Sequence, residues 1–178
     1  FLGWRGIRIT LDHQEIFLQQ IRAMLKASKG LKNLRIMLPM ISNVTELESA
    51  LLLVYRAYDE LVEDGWDIRR PPVGVMIEVP SAVYQARQLA RRVDFLSVGS
   101  NDLTQLTLGL DRDSGLLAHL FDERNDAVKA LLKLAIDACK KQGKYIGICG
   151  QGPSDHPDFA QWLMEQGIDS VSLNPDSV

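Results

Sequence analysis

Two acidic side chains stand where acids are least expected. Glu78 ends the apolar run VGVMIEVP, and Asp102 lies in GSND, just past the next apolar run, VDFLSVGS. A carboxylate at the end of a buried strand is costly unless it is paired, hydrogen-bonded or bound to a metal, so Glu78 is expected to have a cationic partner. Two carboxylates from adjacent strand ends can also chelate one hard cation through oxygen, leaving positions for substrate oxygens and water. That is the coordination style of magnesium. The plainer alternative is that Glu78 pairs with an arginine while Asp102 caps the helix that follows it.

Arg5 in GWRGIR and Arg112 in LDRDS are the candidate anion binders. A planar guanidinium grips carboxylate and phosphate oxygens bidentately and keeps its charge when buried. Arg8 is an equal candidate within the first motif, and surface salt bridging is the commoner fate of any one arginine. Cys149 lies between Ile148 and Gly150 and is followed by the turn-rich stretch GQGPSDHP. A thiol at a strand end can donate or accept a proton there, or it can be a small core residue. Cys139, on a helical stretch, reads as core. His13, His119 and His156 are isolated, and none is assigned to catalysis.

The elements that must position these groups are visible as five short β-rich runs: Leu34 to Met40, Val73 to Val79, Val93 to Ser100, Tyr145 to Gly150 and Ser170 to Asn174. Between them apolar residues recur at helical spacing, as in Val128, Leu131, Leu132, Ala135 and Ile136, or Ile16, Ile21 and Leu25 before the first run. Alternation of this kind implies a parallel sheet. Helix starts are expected at Asn43, with Glu46 three residues on, at Ser81 after Pro80, and at Ser154. The polar residues gather at the C-terminal ends of different strands, and Asn174 is among them. A (β/α) barrel brings those ends to one mouth, whereas an open doubly wound sheet spreads them along an edge. The expected fold is therefore α/β, the C-terminal portion of a TIM (β/α)8 barrel with about five parallel βα units. Five strands do not close such a barrel, so about three more must come from outside this chain.

Composition narrows the function classes. The chain has 178 residues, 46% apolar and 24% charged, enough to bury the core of a single domain over residues 1–178. Its 20 Lys and Arg are interspersed with 23 acids for a net charge of −3, which argues against nucleic acid as a partner. No apolar run approaches the roughly 20 residues a bilayer span needs, and the N-terminal FLGWRGIR is unlike a signal peptide. A cytoplasmic protein with no membrane partner is expected. Two cysteines make neither a disulfide scaffold nor a metal-ligand pattern. A chain starting at Phe1 is expected to be an excised or processed piece of a longer protein.

GWRGIR, LRIMLPM, VMIEVPS, SVGSNDLTQ, LDRDS and ICGQ, in this order, resemble the signatures of the phosphoenolpyruvate (PEP)-utilising enzyme superfamily over the whole chain. That superfamily includes enzyme I of the bacterial phosphotransferase system, PEP synthase and pyruvate phosphate dikinase. The resemblance implies magnesium at Glu78 and Asp102, phosphoryl and carboxylate groups held by Asn101, Arg5 and Arg112, and Cys149 acting at the methylene carbon of PEP or pyruvate. It further implies a phosphorylated histidine on another domain of the parent protein and a barrel that forms a homodimer. Up to about Gln105 the wording is most similar to enzyme I, especially its nitrogen-related branch; beyond it, to PEP synthase. Cys149-Gly150-Gln151 stands where enzyme I has CGE.

The expected function is that of an enzyme I-type phosphotransferase, moving a phosphoryl group between PEP and a histidine. PEP synthase is the alternative. No residue here fits the phosphohistidine, and the arginines the family supplies from its first strands are absent, so the isolated chain is expected not to turn over. Two other readings compete: a magnesium-dependent aldolase or lyase barrel, against which the motif order speaks, and a non-catalytic fragment that only dimerises.

Overall fold

The computed structural model describes residues 2–177. Two helices, α1 (Ile7–Asp12) and α2 (Gln14–Ala27), lead into strand β1 (Ile36–Leu38), and α3 (Val44–Glu63) returns the chain to β2 (Val73–Ile77). The crossover to β3 (Phe95–Gly99) is broken into α4 (Pro80–Tyr84) and α5 (Ala86–Ala90). Then α6 (Ser100–Leu108), a 3-10 turn at Ala118–Leu120 and α7 (Asp126–Lys141) lead to β4 (Tyr145–Cys149). The chain continues through α8 (Gly152–Asp155) and α9 (Pro157–Glu165) to β5 (Ser170–Val171).

The five strands form one parallel sheet in the order β1-β2-β3-β4-β5. Spatial order that equals sequence order has no reversal point, the feature that defines a doubly wound sheet, and it is the order of an arc of a (β/α) barrel. The fold is thus a partial barrel of α/β type. All five strand readings correspond to observed strands, each shorter than its apolar run. The residues past the ladder, such as Glu78 and Gly150, leave it to build loops at the mouth.

Side chains alternate across the sheet with period two. One row, running through Leu38, Val75, Leu96 and Ile146 and then Ile77, Val98 and Ile148, is buried under the helices. Phe17, Leu18, Ile21 and Leu25 of α2 belong to this core, whereas Ile16 points outward and is 67% exposed. On α7 all five apolar residues read from the sequence are buried. The opposite row contains Met76, Ser97, Gly99 and Cys149, and Glu78 continues its phase past the end of β2. This inner face is less buried, with Met37 39% exposed. Among the described residues no helix is long and apolar enough to cross a membrane.

Helix starts follow the expected chemistry at one place and depart from it at two. The Asn43 side chain accepts a hydrogen bond from the Glu46 N–H at 2.9 Å, and Glu46 reaches back to the N–H and hydroxyl of Ser42. Ser81 is not a cap; Val79 takes that place with Pro80 in the first turn, and the Ser81 hydroxyl donates to the Ser42 carbonyl. Ser154 lies inside α8, where its Oγ accepts from Asn174 N–H, and His156 precedes α9. Replacing Asn43 with alanine removes the side-chain cap at the head of the 20-residue α3, where Gln85 Oε1 also accepts the Val44 N–H at 3.3 Å. The expected loss is about 1 kcal/mol in urea unfolding at unchanged m-value.

Candidate active site

Glu78, Asn101, Asp102, Arg112 and Cys149 line one small cavity of about 180 Å³ at the C-terminal end of the sheet, with Met76, Gly99 and Gly150 as its walls. Glu78 arrives from the end of β2, Asn101 and Asp102 from the first turn of α6, and Cys149 from the last position of β4. Arg112 comes from the loop after α6, where buried Gln105 accepts its backbone N–H at 2.9 Å. Asn174, the polar residue past β5, is exposed and is not among the residues lining this cavity.

The carboxylates are held differently from each other. Glu78 Oε1 accepts the Met40 backbone N–H at 2.6 Å, so a main-chain donor supplies the hydrogen bond that a cation was expected to give. Met40 adopts φ 56°, a left-handed conformation uncommon for a residue with a side chain. Asp102 takes the cations: Arg112 Nη1 lies 2.9 Å from its Oδ1 and Arg5 Nη2 lies 3.6 Å from its Oδ2. The first contact is one of charge rather than a well-angled hydrogen bond, because Oδ1 has no hydrogen-bond partner. Asp102 makes no side-chain cap to α6. Arg8 donates to the Gly3 carbonyl, so Arg5 is the member of GWRGIR that serves the mouth.

Burial pushes the Glu78 carboxyl above its ordinary range; the Met40 N–H opposes that, the nearby Asp102 adds to it, and Arg5 opposes it. Burial likewise raises the Cys149 thiol, with Glu78 and Glu123 adding to the rise and a hydrogen bond from Ser97 acting against it. The thiol donates to the Val98 carbonyl at 3.5 Å and receives the Ser97 hydroxyl at 3.9 Å. Half-buried and facing the cavity, Cys149 is not a core residue. Cys139 is: fully buried, its thiol is pushed up to about 12 by desolvation.

Further bonds fix the site, and two of the residues that make them, Ser100 and Glu123, were not singled out from the sequence. Ser100 Oγ donates to the Cys149 carbonyl, and Asn101 Oδ1 accepts the Gln151 N–H at 3.2 Å. With its oxygen occupied, Asn101 has its amide N–H groups left to donate. Glu123 is 5% exposed and accepts the Gly152 N–H at 2.9 Å. A second cavity of about 420 Å³ adjoins the first through Asn101 and Arg112, and His119 and His156 line it.

The PEP-binding domain model of the PEP-utilising enzymes matches residues 1–178. The chain belongs to this family. Among curated PEP-utilising relatives, it is 52% identical to the PEP synthase of Pseudomonas aeruginosa over 99% of its length and 22% of that protein. It is 49% identical to the PEP synthases of Escherichia coli and Neisseria meningitidis, again over 99% of this chain and 22% of each of those. The chain thus spans about a fifth of the length of these relatives. Similar solved structures include a citrate lyase from Burkholderia xenovorans (TM-score 0.68, 22% identity, 94% of this chain and 52% of that one). Another is an aldolase/citrate lyase family protein from Burkholderia cenocepacia (TM-score 0.59, 20% identity, 88% and 64%). At these identities the likeness is one of fold.

Because the fold raises the Glu78 pKa, the charged form is disfavoured relative to the unfolded chain. Stability falls as pH rises from the ordinary carboxylate range through the raised value, and is regained on acidification. Glu78→Gln keeps an acceptor for Met40 and removes that penalty. Without divalent cations the variant is expected to melt at a higher temperature than the parent at pH 7, with the gap closing towards pH 4. Thermal melts across that range check it; a variant that is less stable at pH 7 contradicts it.

Proposed function

We propose that this chain is the PEP/pyruvate-binding part of a PEP synthase (pyruvate, water dikinase), in which a phosphoryl group passes between the substrate and a histidine on another domain of the parent protein. The observation that carries the reading is the meeting of two buried carboxylates, Asn101, Arg112 and one thiol in a single cavity, with Arg5 at its rim. The identity to PEP synthases across 99% of the chain favours this reading over enzyme I, which the wording of the first 105 residues had suggested.

The donor set fits magnesium. Glu78 and Asp102 are both buried, Asp102 Oδ1 lacks a hydrogen bond, and Gly99 leaves space beside Glu78 Oε2 that a Cβ, 2.9 Å away, would fill. Among the described residues no group of three or more His, Cys, Asp or Glu gathers to hold a metal, which suits an ion that takes one or two carboxylates and completes its shell with substrate oxygens and water. Bound there, magnesium supplies charge neutralisation to the phosphoryl and enolate oxygens.

This chain's own residues divide the remaining work. Arg5 and Arg112, which rest on Asp102, present guanidinium forks to the carboxylate and phosphoryl oxygens. The amide N–H groups of Asn101 donate to the same anion. Cys149, held protonated at neutral pH by its raised pKa, gives its proton to the methylene carbon of the enolate as pyruvate forms. In the direction of PEP synthesis, its thiolate removes a methyl proton from pyruvate.

Oxalate has the shape and charge of enolpyruvate, and calorimetric titration of the 178-residue chain is expected to show binding that needs magnesium. The Glu78→Gln variant is expected to lose it by tenfold or more. A stable dimer without oxalate binding would favour the non-catalytic reading instead. The chain alone is expected to show no steady PEP hydrolysis, because no phosphohistidine candidate is among its assigned residues. In the parent polypeptide, formation of PEP from pyruvate and ATP checks the synthase assignment, and phosphorylation of a small carrier protein would point to enzyme I.

A further inference from the structure

We propose that Glu123, which lies outside every motif of the site, is the positioning residue for Cys149. It would act by clamping the turn from 149 to 152 against the sheet. The inference rests on the reading of Cys149 as the proton-transfer group.

Glu123 sits in the polar run DERND between the 3-10 turn and α7. Its neighbours Asp122 and Arg124 pair with each other at 3.0 Å and are about 40% exposed, whereas Glu123 turns inward and is 5% exposed. Among the described residues it makes no ion pair. A carboxylate buried without a cation is costly and persists where something else compensates. Here one oxygen, Oε1, accepts the Gly152 N–H at 2.9 Å, a bond strengthened by the charge on the acceptor. The other, Oε2, is buried without a partner and lies against the turn itself. A Cβ on Gly152 would stand 2.8 Å from Oε2 and one on Gly150 would stand 3.1 Å from it. Gly152 is therefore required by contact with this side chain, whereas at Gly150 the tighter limit is Ser100 Oγ, with which a Cβ would collide.

The start of the turn is held by β3, which pairs with Cys149 in the ladder, and its middle by α6. Ser100 Oγ holds the Cys149 carbonyl at 3.3 Å and Asn101 Oδ1 holds the Gln151 N–H at 3.2 Å. Past the ladder, Gly152 has its N–H held by neither β3 nor α6 but by Glu123. Glu123, from the loop before α7, supplies a fixed point beyond the ladder, so it sets the path of the backbone that leaves Cys149 and with it the cover over the thiol. Its charge also lies close enough to Cys149 to contribute to the rise of the thiol pKa, after burial and Glu78.

The test compares Glu123→Ala with Glu123→Gln in the full 178-residue chain. Both variants lose the charge, but only alanine loses the acceptor for Gly152. Iodoacetamide labelling rates are read separately at each cysteine by peptide mass spectrometry, with Cys139, fully buried, reporting any general opening. The expected result is a rise of fivefold or more at Cys149 in Glu123→Ala, with Cys139 still protected and Glu123→Gln within twofold of the parent. An unchanged Cys149 rate in the alanine variant, or an equal rise in the glutamine variant, overturns the proposal. Should Cys139 become reactive in Glu123→Ala, Gly152→Ala decides. Its Cβ displaces the carboxylate while Glu123 remains, so a selective rise at Cys149 upholds the clamp and no rise overturns it. The readout uses no substrate, so a failure of magnesium-dependent oxalate binding beside a normal Cys149 response would count against the functional reading alone.

Discussion

Two carboxylates brought out of water side by side, Glu78 and Asp102, set the terms for everything around them. Burial raises the cost of ionising Glu78, and the neighbouring Asp102 raises it further. The surroundings read as answers to that cost. The Met40 amide is turned into a left-handed conformation to donate to Glu78, a strain of roughly 1–3 kcal/mol that persists only when the neighbourhood over-determines it. Two arginines distant in sequence converge on Asp102. Gly99 lies beside Glu78 where any side chain would collide. A pair that needs so much local compensation is not there for stability.

The arc of parallel strands provides the geometry but does not choose the chemistry. Proteins named as citrate lyases and aldolases share this fold at 20–22% identity. What separates this chain from a bare barrel is the set of side chains at its mouth, and among these the thiol stands out. It lies in the same inward-facing row as Ser97 and Met76, so the alternation of the pleat carries it to the cavity side of the sheet.

Much of this was legible from residue order, for definable reasons. Buried parallel strands are continuous apolar runs, so all five could be read, and a glutamate inside such a run is conspicuous. The choice between Arg5 and Arg8 was not legible, because both lie in one turn-rich motif and only the folded loop shows which reaches Asp102. Ser81 and Ser154 carry the chemistry of caps, but Pro80 fixes the start of α4 one residue earlier, and Ser154 is absorbed into α8. Glu123 was hidden by its company: in a run of alternating charges, one side chain turned inward is indistinguishable from its solvated neighbours. The hydrogen bond to Glu78 was not legible either: Arg5 is the cation near it, but the donor is a main-chain N–H of a strained residue, which residue types do not reveal. The division between enzyme I and PEP synthase wording was less informative than the identity over the whole length.

Strand order has a consequence for how such a site is assembled. Every strand of this sheet pairs with its predecessor in the chain. A polypeptide emerging from the ribosome can therefore add each βα unit to an edge that already exists, with no wait for a distant partner. Arg5 is synthesised before either carboxylate, and Asp102 is followed within ten residues by Arg112, so the acids are never without their countercharges for long. Cys149 comes last, on the strand that completes the cavity. The thiol thus enters a pocket whose charges are already in place.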